Sequence, residues 1–254
     1  MKILNAQNIE VKYQAENGEI TALHNIVFSV EKGEFVSIVG PSGCGKSTLL
    51  SVIAGLITPN KGSVEVCGEK VTGISQHIGY MLQNDNLLEW RTIWQNVLLG
   101  LEIQNKLTPQ NKERAKKLLE NYGLAGFEQK YPSQLSGGMR QRVALIRTLA
   151  VDPDILLLDE AFSALDFQTR LEVTDDVYSI LKNENKTTLM VTHDISEAIS
   201  MGDRIMLLSQ RPASIKEIIN VDFGTDKRIP TACRTTAGFT EYFDYIWKEL
   251  KAYG

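Results

Sequence analysis

Short apolar runs at 35–39, 78–82, 154–158, 187–192 and 204–209 alternate with stretches of helical pattern at 92–101, 109–122, 137–150 and 166–183. Strands alternating with helices predict a mostly parallel sheet covered on both faces, an α/β fold. The opening of the chain reads differently. Residues 2–12 and 26–39 carry strand patterns separated by a polar turn at 14–19. After a turn signal at 58–62, segments 63–67 and 70–73 read as short strands, so an all-β portion precedes the helices. A last amphipathic stretch lies near 239–252, and no repeat or low-complexity tract interrupts the chain.

Composition narrows the class. The chain has 254 residues, 43% apolar and 23% charged, the balance of a globular protein with a well-buried core. A net charge of −4 gives no global reason to expect nucleic acid or an anionic membrane surface as partner. No apolar run approaches the roughly 20 residues that span a bilayer. The first residues, Met1-Lys2-Ile3-Leu4-Asn5, lack the apolar core of a signal peptide, so a membrane role is expected to pass through a partner protein. Cys44, Cys67 and Cys233 are far apart and odd in number, which argues against a disulfide framework or a zinc site and suits a reducing cytoplasm.

The run 35–39 leads directly into Gly40-Pro41-Ser42-Gly43-Cys44-Gly45-Lys46-Ser47-Thr48 and then into apolar Leu49-Leu50-Ser51-Val52-Ile53. Strand, glycine-rich loop and helix stand in the order that G-x-x-x-x-G-K-[ST] requires. Glycines let backbone N–H groups turn inward around phosphate oxygens, and the helix N-terminus adds about half a positive charge. Lys46 can reach the β- and γ-phosphates, and the Ser47 hydroxyl can ligate Mg²⁺. An ordinary glycine-rich turn would not explain Lys-Ser at the helix start. The chain is expected to bind a nucleoside triphosphate. Cys44 reads first as a small residue that fits the loop; the sharper expectation is a thiol activated by Lys46 and the helix start, whose alkylation blocks nucleotide binding.

Asp154-Ile155-Leu156-Leu157-Leu158-Asp159-Glu160 is a buried strand ending in two carboxylates, at the end where ligands of parallel sheets bind. Asp159 is placed to hold Mg²⁺, directly or through water, and Glu160 to polarise the water that attacks the γ-phosphate. Strands ending in solvated acids are common, so this element draws its weight from the phosphate loop. Leu135-Ser136-Gly137-Gly138-Met139-Arg140-Gln141 supplies a second anion site, because Ser136 suits an N-cap and the glycines leave N–H groups open. One phosphate chain does not need two helix N-termini from distant loops of one fold, whereas two facing copies would use both. With this element the chain resembles the ATP-binding subunit of an ABC transporter, whose signature is LSGG, then Met or Gln, any residue, and Gln.

The resemblance covers essentially the whole chain and implies a single ATP-binding domain over 1–254. The implied fold is a P-loop NTPase: a RecA-like core with a mostly parallel sheet, an antiparallel β subdomain, an α-helical signature subdomain near 84–150 and a short extension over 210–254. ATP and Mg²⁺ are the implied cofactors. Carried over residue by residue, Gly40, Pro41, Ser42, Gly43, Cys44, Gly45, Lys46, Ser47 and Thr48 bind the nucleotide, and Tyr13 stacks on adenine. Ser47, Gln83 and Asp159 serve the metal. Glu160, His193, Gln83 and Lys46 carry the chemistry, with Thr192-His193-Asp194 resembling the H-loop. Ser163-Ala164-Leu165-Asp166 resembles the D-loop. In such proteins two ATP molecules lie between head-to-tail subunits, so Ser136, Gly137, Gly138, Gln141 and Asp166 are expected to act on the partner's nucleotide. The implied partners are a second ATP-binding subunit, a transmembrane permease and, indirectly, an extracytoplasmic solute-binding protein, with no nucleic acid. The implied place is the cytoplasmic face of the membrane. His24 and His77 match no functional position and read as structural.

Residues 85–93 with Asn96-Val97 resemble the LLPWRTV…NV segment of nitrate/sulfonate/taurine-type importers, and 131–142 and 209–212 share that flavour. Relatives of this group also carry bicarbonate and other small organic compounds. There are departures. Ala161 stands where a proline usually follows the paired acids, and Glu89 replaces a proline in the segment facing the permease. Ile146 and Thr148 replace alanines around Arg147. An importer of another organic substrate or a split exporter stays open on this reading, although exporters usually fuse this domain to membrane helices. A non-transport relative would carry two cassettes or a long coiled-coil insertion, and neither is in the sequence. A module that no longer hydrolyses ATP is opposed by the complete set of catalytic residues.

Overall fold

Two long strands, β1 (Lys2–Ala15) and β2 (Gly18–Glu31), pair antiparallel and extend into the polar turn expected at 14–19, taking in 14–15 and 18–19. The computed structural model describes residues 1–15, 18–224 and 228–251, so Glu16 and Asn17 of that turn, and the last residue of the stretch at 239–252, lie outside the described residues. The strand pattern over 26–39 is not one strand. Gly33 takes a left-handed φ of 79°, which reverses the chain after β2, and β3 (Phe35–Val39) enters a different sheet. β4 (Lys61–Val66) pairs with β1, and β5 (Glu69–Lys70) with β4, completing a four-stranded antiparallel sheet in the order β2-β1-β4-β5. The segment expected as a strand at 70–73 is thus shorter and starts earlier.

The remaining apolar runs join β3 in one six-stranded sheet. β6 (Ile78–Met81), β7 (Ile155–Asp159), β8 (Thr187–Val191), β9 (Arg204–Leu208) and β10 (Ile215–Asn220) give the order β10-β9-β3-β8-β7-β6. Every neighbouring pair is parallel except β10 with β9, as the alternation of strands and helices predicts. Continuous apolar runs arise because both faces are covered. Along β7, Ile155 and Leu157 enter the core shared with the antiparallel sheet, while Leu156 and Leu158 enter the core on the opposite face.

The first of these cores holds α1 (Lys46–Ile53) through Leu49, Leu50, Val52 and Ile53. The second holds four helices: α2 (Ile93–Ile103), α3 (Pro109–Asn121), α4 (Gly137–Ala150) and α5 (Phe167–Asn183). Short polar side chains start each of them. Thr92 and Gln95 form a reciprocal cap on α2, and Thr108, Ser136 and Asp166 accept from the third residue of α3, α4 and α5. Ile146 and Ala161 are fully buried in this core, so both departures from the family pattern are packed positions. A third core lies under α6 (Ile195–Met201) and the terminal α8 (Ala237–Lys251); the one-turn α7 (Pro230–Cys233) packs against α5 and α6. β10, α6 and α7 had no clear pattern in the sequence, since six, seven and four residues are too few to establish a period. Among the described residues no helix is long and apolar enough to cross a membrane.

Candidate functional site

The fully buried β3 delivers residues 40–48 at the C-terminal edge of the parallel strands, where open α/β sheets bind ligands. Backbone conformation explains the glycines. Gly43 and Gly45 have φ of 70° and 128°, a region costly for any residue with a Cβ. A Cβ on Gly45 would also meet Leu23 at 3.0 Å and the Ala22 carbonyl at 3.2 Å. Helix α1 starts without a side-chain cap, so its first-turn N–H groups stay available to an anion. Ser42, Gly43, Gly45, Lys46, Ser47 and Thr48 line a cleft of about 250 Å³ with Glu160 and Arg211.

Within that cleft Lys46 is largely buried, and Nζ donates to the carbonyls of Gly40 (2.9 Å) and Pro41 (3.0 Å). The Ser47 hydroxyl donates to Oδ1 of Asp159 at 3.0 Å, and the Tyr80 hydroxyl to Oδ2 at 3.2 Å. Burial pushes the Asp159 carboxyl above its usual range, partly opposed by those two bonds. The same burial, with Asp159 beside it, pushes the Tyr80 phenol up. Hard oxygen donors are the chemistry Mg²⁺ selects. The 3.0 Å between Ser47 Oγ and Asp159 Oδ1 matches the edge of an octahedron with metal–oxygen bonds of about 2.1 Å. The residues present therefore fit Mg²⁺.

Glu160 follows β7 with φ +47°, which turns its side chain out of the strand path, and its N–H donates to the Val191 carbonyl at 2.9 Å. Its Oε2 lies 3.3 Å from Nδ1 of His193 and accepts from Gln83 Nε2 at 3.3 Å. Gln83 also donates to the Ser163 hydroxyl at 3.2 Å. β6, β7 and β8 are sheet neighbours, so Gln83, Glu160 and His193 meet at the ends of three adjacent parallel strands. Tyr13, 41% exposed at the rim, has its hydroxyl 3.2 Å from that of Thr48.

Cys44 departs from the sharper expectation. Its side chain is buried, and desolvation pushes the thiol above its ordinary value despite the pull of Lys46. The loop uses it as a small packed residue.

The signature residues stand apart from this cleft. Ser136 caps α4 through the Met139 N–H at 3.4 Å. A Cβ on Gly138 would lie 3.0 Å from Val173 and 3.1 Å from Thr169, so the close approach of α5 favours glycine there, and one on Gly137 would lie 3.3 Å from Leu165, just before that helix. α4 packs on α2, α3, α5 and β6, whereas α1 packs on β2 and β7. None of Ser136, Gly137, Gly138 or Asp166 lines the phosphate cleft. Ser136, Gly137 and Asp166 are exposed. Gln141 is not: it is 3% exposed, with Oε1 buried and unpartnered, because it sits a turn into α4 on the packed side. Within this chain its side chain therefore occupies a packed position of α4.

Sequence reasoning missed two contributors. Arg211 lines the cleft, although segment 209–212 carries only a likeness to the importer group in the sequence, with no site role. Glu197, 4% exposed on α6, accepts from Thr192 at 2.7 Å, and Thr192 in turn accepts from the Asp194 N–H at 3.0 Å, bracketing His193.

The model of the ABC transporter family matches residues 23–163. The chain is 48% identical over 252 residues to the uncharacterized ABC transporter ATP-binding protein YtlC of Bacillus subtilis (strain 168), covering 99% of this chain and 97% of that one. It is 39% identical over 240 residues to the taurine import ATP-binding protein TauB of Yersinia pestis bv. Antiqua (strain Antiqua), covering 94% and 92%. Among solved structures it is similar to the dimeric, post-hydrolysis state of the ATP-binding cassette MJ0796 bound to ADP and Pi, with a TM-score of 0.73 and 31% identity, covering 86% of this chain and 99% of that chain.

Proposed function

This chain belongs to the ABC transporter family, and we propose that it powers import of a small solute of the nitrate, sulfonate, taurine or bicarbonate kind. It is an ATP-binding subunit and an ATPase. The observation that carries the catalytic reading is the convergence of Gln83, Glu160 and His193 beside the phosphate loop.

On this reading the N–H groups of 43–48 and the Lys46 ammonium bind the triphosphate, and Tyr13 stacks against adenine. Ser47, Asp159 and Gln83 supply oxygen ligands for Mg²⁺. When bound, that ion offsets charge on the β- and γ-phosphates. Glu160 orients the attacking water and takes its proton, and His193 fixes the carboxylate and faces the γ-phosphate. Glu160 is thus the general base. Its proton returns to solvent after phosphate leaves.

Ser136 and Gly138 act on the nucleotide of a second copy, with Asp166 at the same interface. The exposure of Ser136 and Asp166, and the separation of all three from this chain's own cleft, support that arrangement. Closing the pair moves the segment after Gln83 against a permease at the cytoplasmic face of the membrane, and hydrolysis resets it. The taurine importer among the relatives supports the solute class. The test is reconstitution with the permease and binding protein from neighbouring reading frames. Hydrolysis stimulated several-fold by nitrate, bicarbonate, taurine or another sulfonate supports the reading; a complex that ignores all four solute types overturns it.

A further inference from the structure

Arg211 lies in the connection between β9 and β10, outside every motif of the phosphate loop, yet it is one of two residues from elsewhere in the chain that line the phosphate cleft. Its Nη2 donates to the Gly43 carbonyl at 2.5 Å. A cradle that turns N–H groups inward must turn carbonyls outward, and Arg211 holds one of those outward carbonyls.

The position is rigid for an exposed side chain. On one side, β9 pairs with β3, and the end of β9 abuts the loop: a Cβ on Gly40 would meet Leu208 at 3.0 Å. On the other side Ala213 is fully buried, donates to Ala22 at 2.9 Å and accepts from His24 at 2.8 Å. Ser209 closes the connection by accepting from the Ser214 N–H at 2.9 Å. Charge points the same way. Among the described residues no carboxylate forms an ion pair with Arg211, so its charge is left uncompensated at the edge of a site built for phosphate. A guanidinium has five N–H donors, and one bond to Gly43 leaves others for a second acceptor.

We propose that Arg211 is a second cationic ligand of the nucleotide's phosphates, anchored on the Gly43 carbonyl and acting beside Lys46. The inference rests on the ATP-binding reading above. It makes the connection after β9 part of the nucleotide site, so that binding is felt directly at β10 and the tail behind it.

The experiment titrates Mg·ATP and Mg·ADP into full-length wild type, R211A, R211K and R211Q, with melting in the absence of nucleotide as the folding control. Wild-type binding tests the underlying reading separately: if wild type binds no ATP, that reading fails first. A charge-assisted phosphate contact predicts a Kd about tenfold higher for R211A. R211K, which keeps the charge, recovers most of the affinity, while R211Q, which keeps only a donor for Gly43, does not. Loss in R211A should also shrink as salt is raised, because the missing term is electrostatic. R211A or R211Q binding ATP as tightly as wild type, with wild-type melting, overturns the proposal.

Discussion

Nδ1 of His193 stands 3.3 Å from Oε2 of Glu160, although the two residues follow different strands and are separated by 32 intervening positions. That contact holds a carboxylate at the mouth of the phosphate cleft. Glu160→Gln keeps the shape and removes the base. Turnover in a phosphate-release assay should fall by about 10²-fold or more, the range of general-base catalysis, while ATP affinity is kept. Size-exclusion chromatography with Mg·ATP should then show accumulated dimers. Normal turnover by this variant would remove Glu160 from its assigned role.

Shared sites make mixed defects informative. Lys46→Ala disables a chain's own loop, and Ser136→Glu places a charge where the partner's phosphate would dock. In a mixed pair both defects fall in one composite site and leave the other intact. Each variant alone should be inactive, and mixing equal amounts should restore measurable hydrolysis. A mixture as inactive as its parts would argue against a site completed across the pair.

Asp159 carries a stability cost that follows from its environment. Burial raises its carboxyl, so ionising it in the folded protein is unfavourable compared with the unfolded chain. Asp159→Asn should therefore raise the urea midpoint at neutral pH while abolishing Mg²⁺-dependent hydrolysis. A lower midpoint would mean that the bonds from Ser47 and Tyr80 outweigh desolvation.

Glu197 predicts a pH signature. Burial lifts its carboxyl above the ordinary value of 4.5, with Asp194 adding to the effect and Thr192 opposing it. A raised folded value means that the folded protein holds the proton more tightly than the unfolded chain. The stabilisation is complete below the unfolded value and is lost as pH rises through the folded one. Glu197→Gln retains an acceptor for Thr192 and has no proton to lose. Its urea midpoint should gain on wild type as pH rises above the ordinary carboxyl value of 4.5 towards the raised folded one, and a pH-independent difference would contradict the assignment.

Glu89, the departure in the segment after Gln83, has a structural use. Arg140 of α4 donates to Asp85 at 2.8 and 3.1 Å and to Glu89 at 2.7 Å, and Arg147 donates to the carbonyls of Asp85 and Asn86. The segment after Gln83 is thereby tied to α4. Glu89 is 53% exposed, so solvent screens its share. Glu89→Pro should cost no more than about 1 kcal/mol in urea unfolding. Arg140→Ala loses both acids and should cost clearly more. Equal costs would place the tie on Glu89 alone.

Sequence alone determined the elements whose parts are neighbours along the chain. The phosphate loop is read from nine consecutive residues because its ligands are mainly consecutive N–H groups, and the caps at Ser136 and Asp166 act on residues three positions away. Alternating apolar runs and helices likewise sufficed for a parallel sheet buried on both faces. Tertiary structure decided the rest. Residues 26–39 divide between two sheets because Gly33 reverses the chain, and Gln141 turns inward because α4 is packed on that side. Gln83, Glu160 and His193 were named from a resemblance, but only the order β8-β7-β6 brings Gln83 and His193 each to 3.3 Å from the Glu160 carboxylate. Arg211 reaches Gly43 only because β9 pairs with β3. Strand order is chosen by burial and pairing between distant segments, and no local period records which strands will be neighbours.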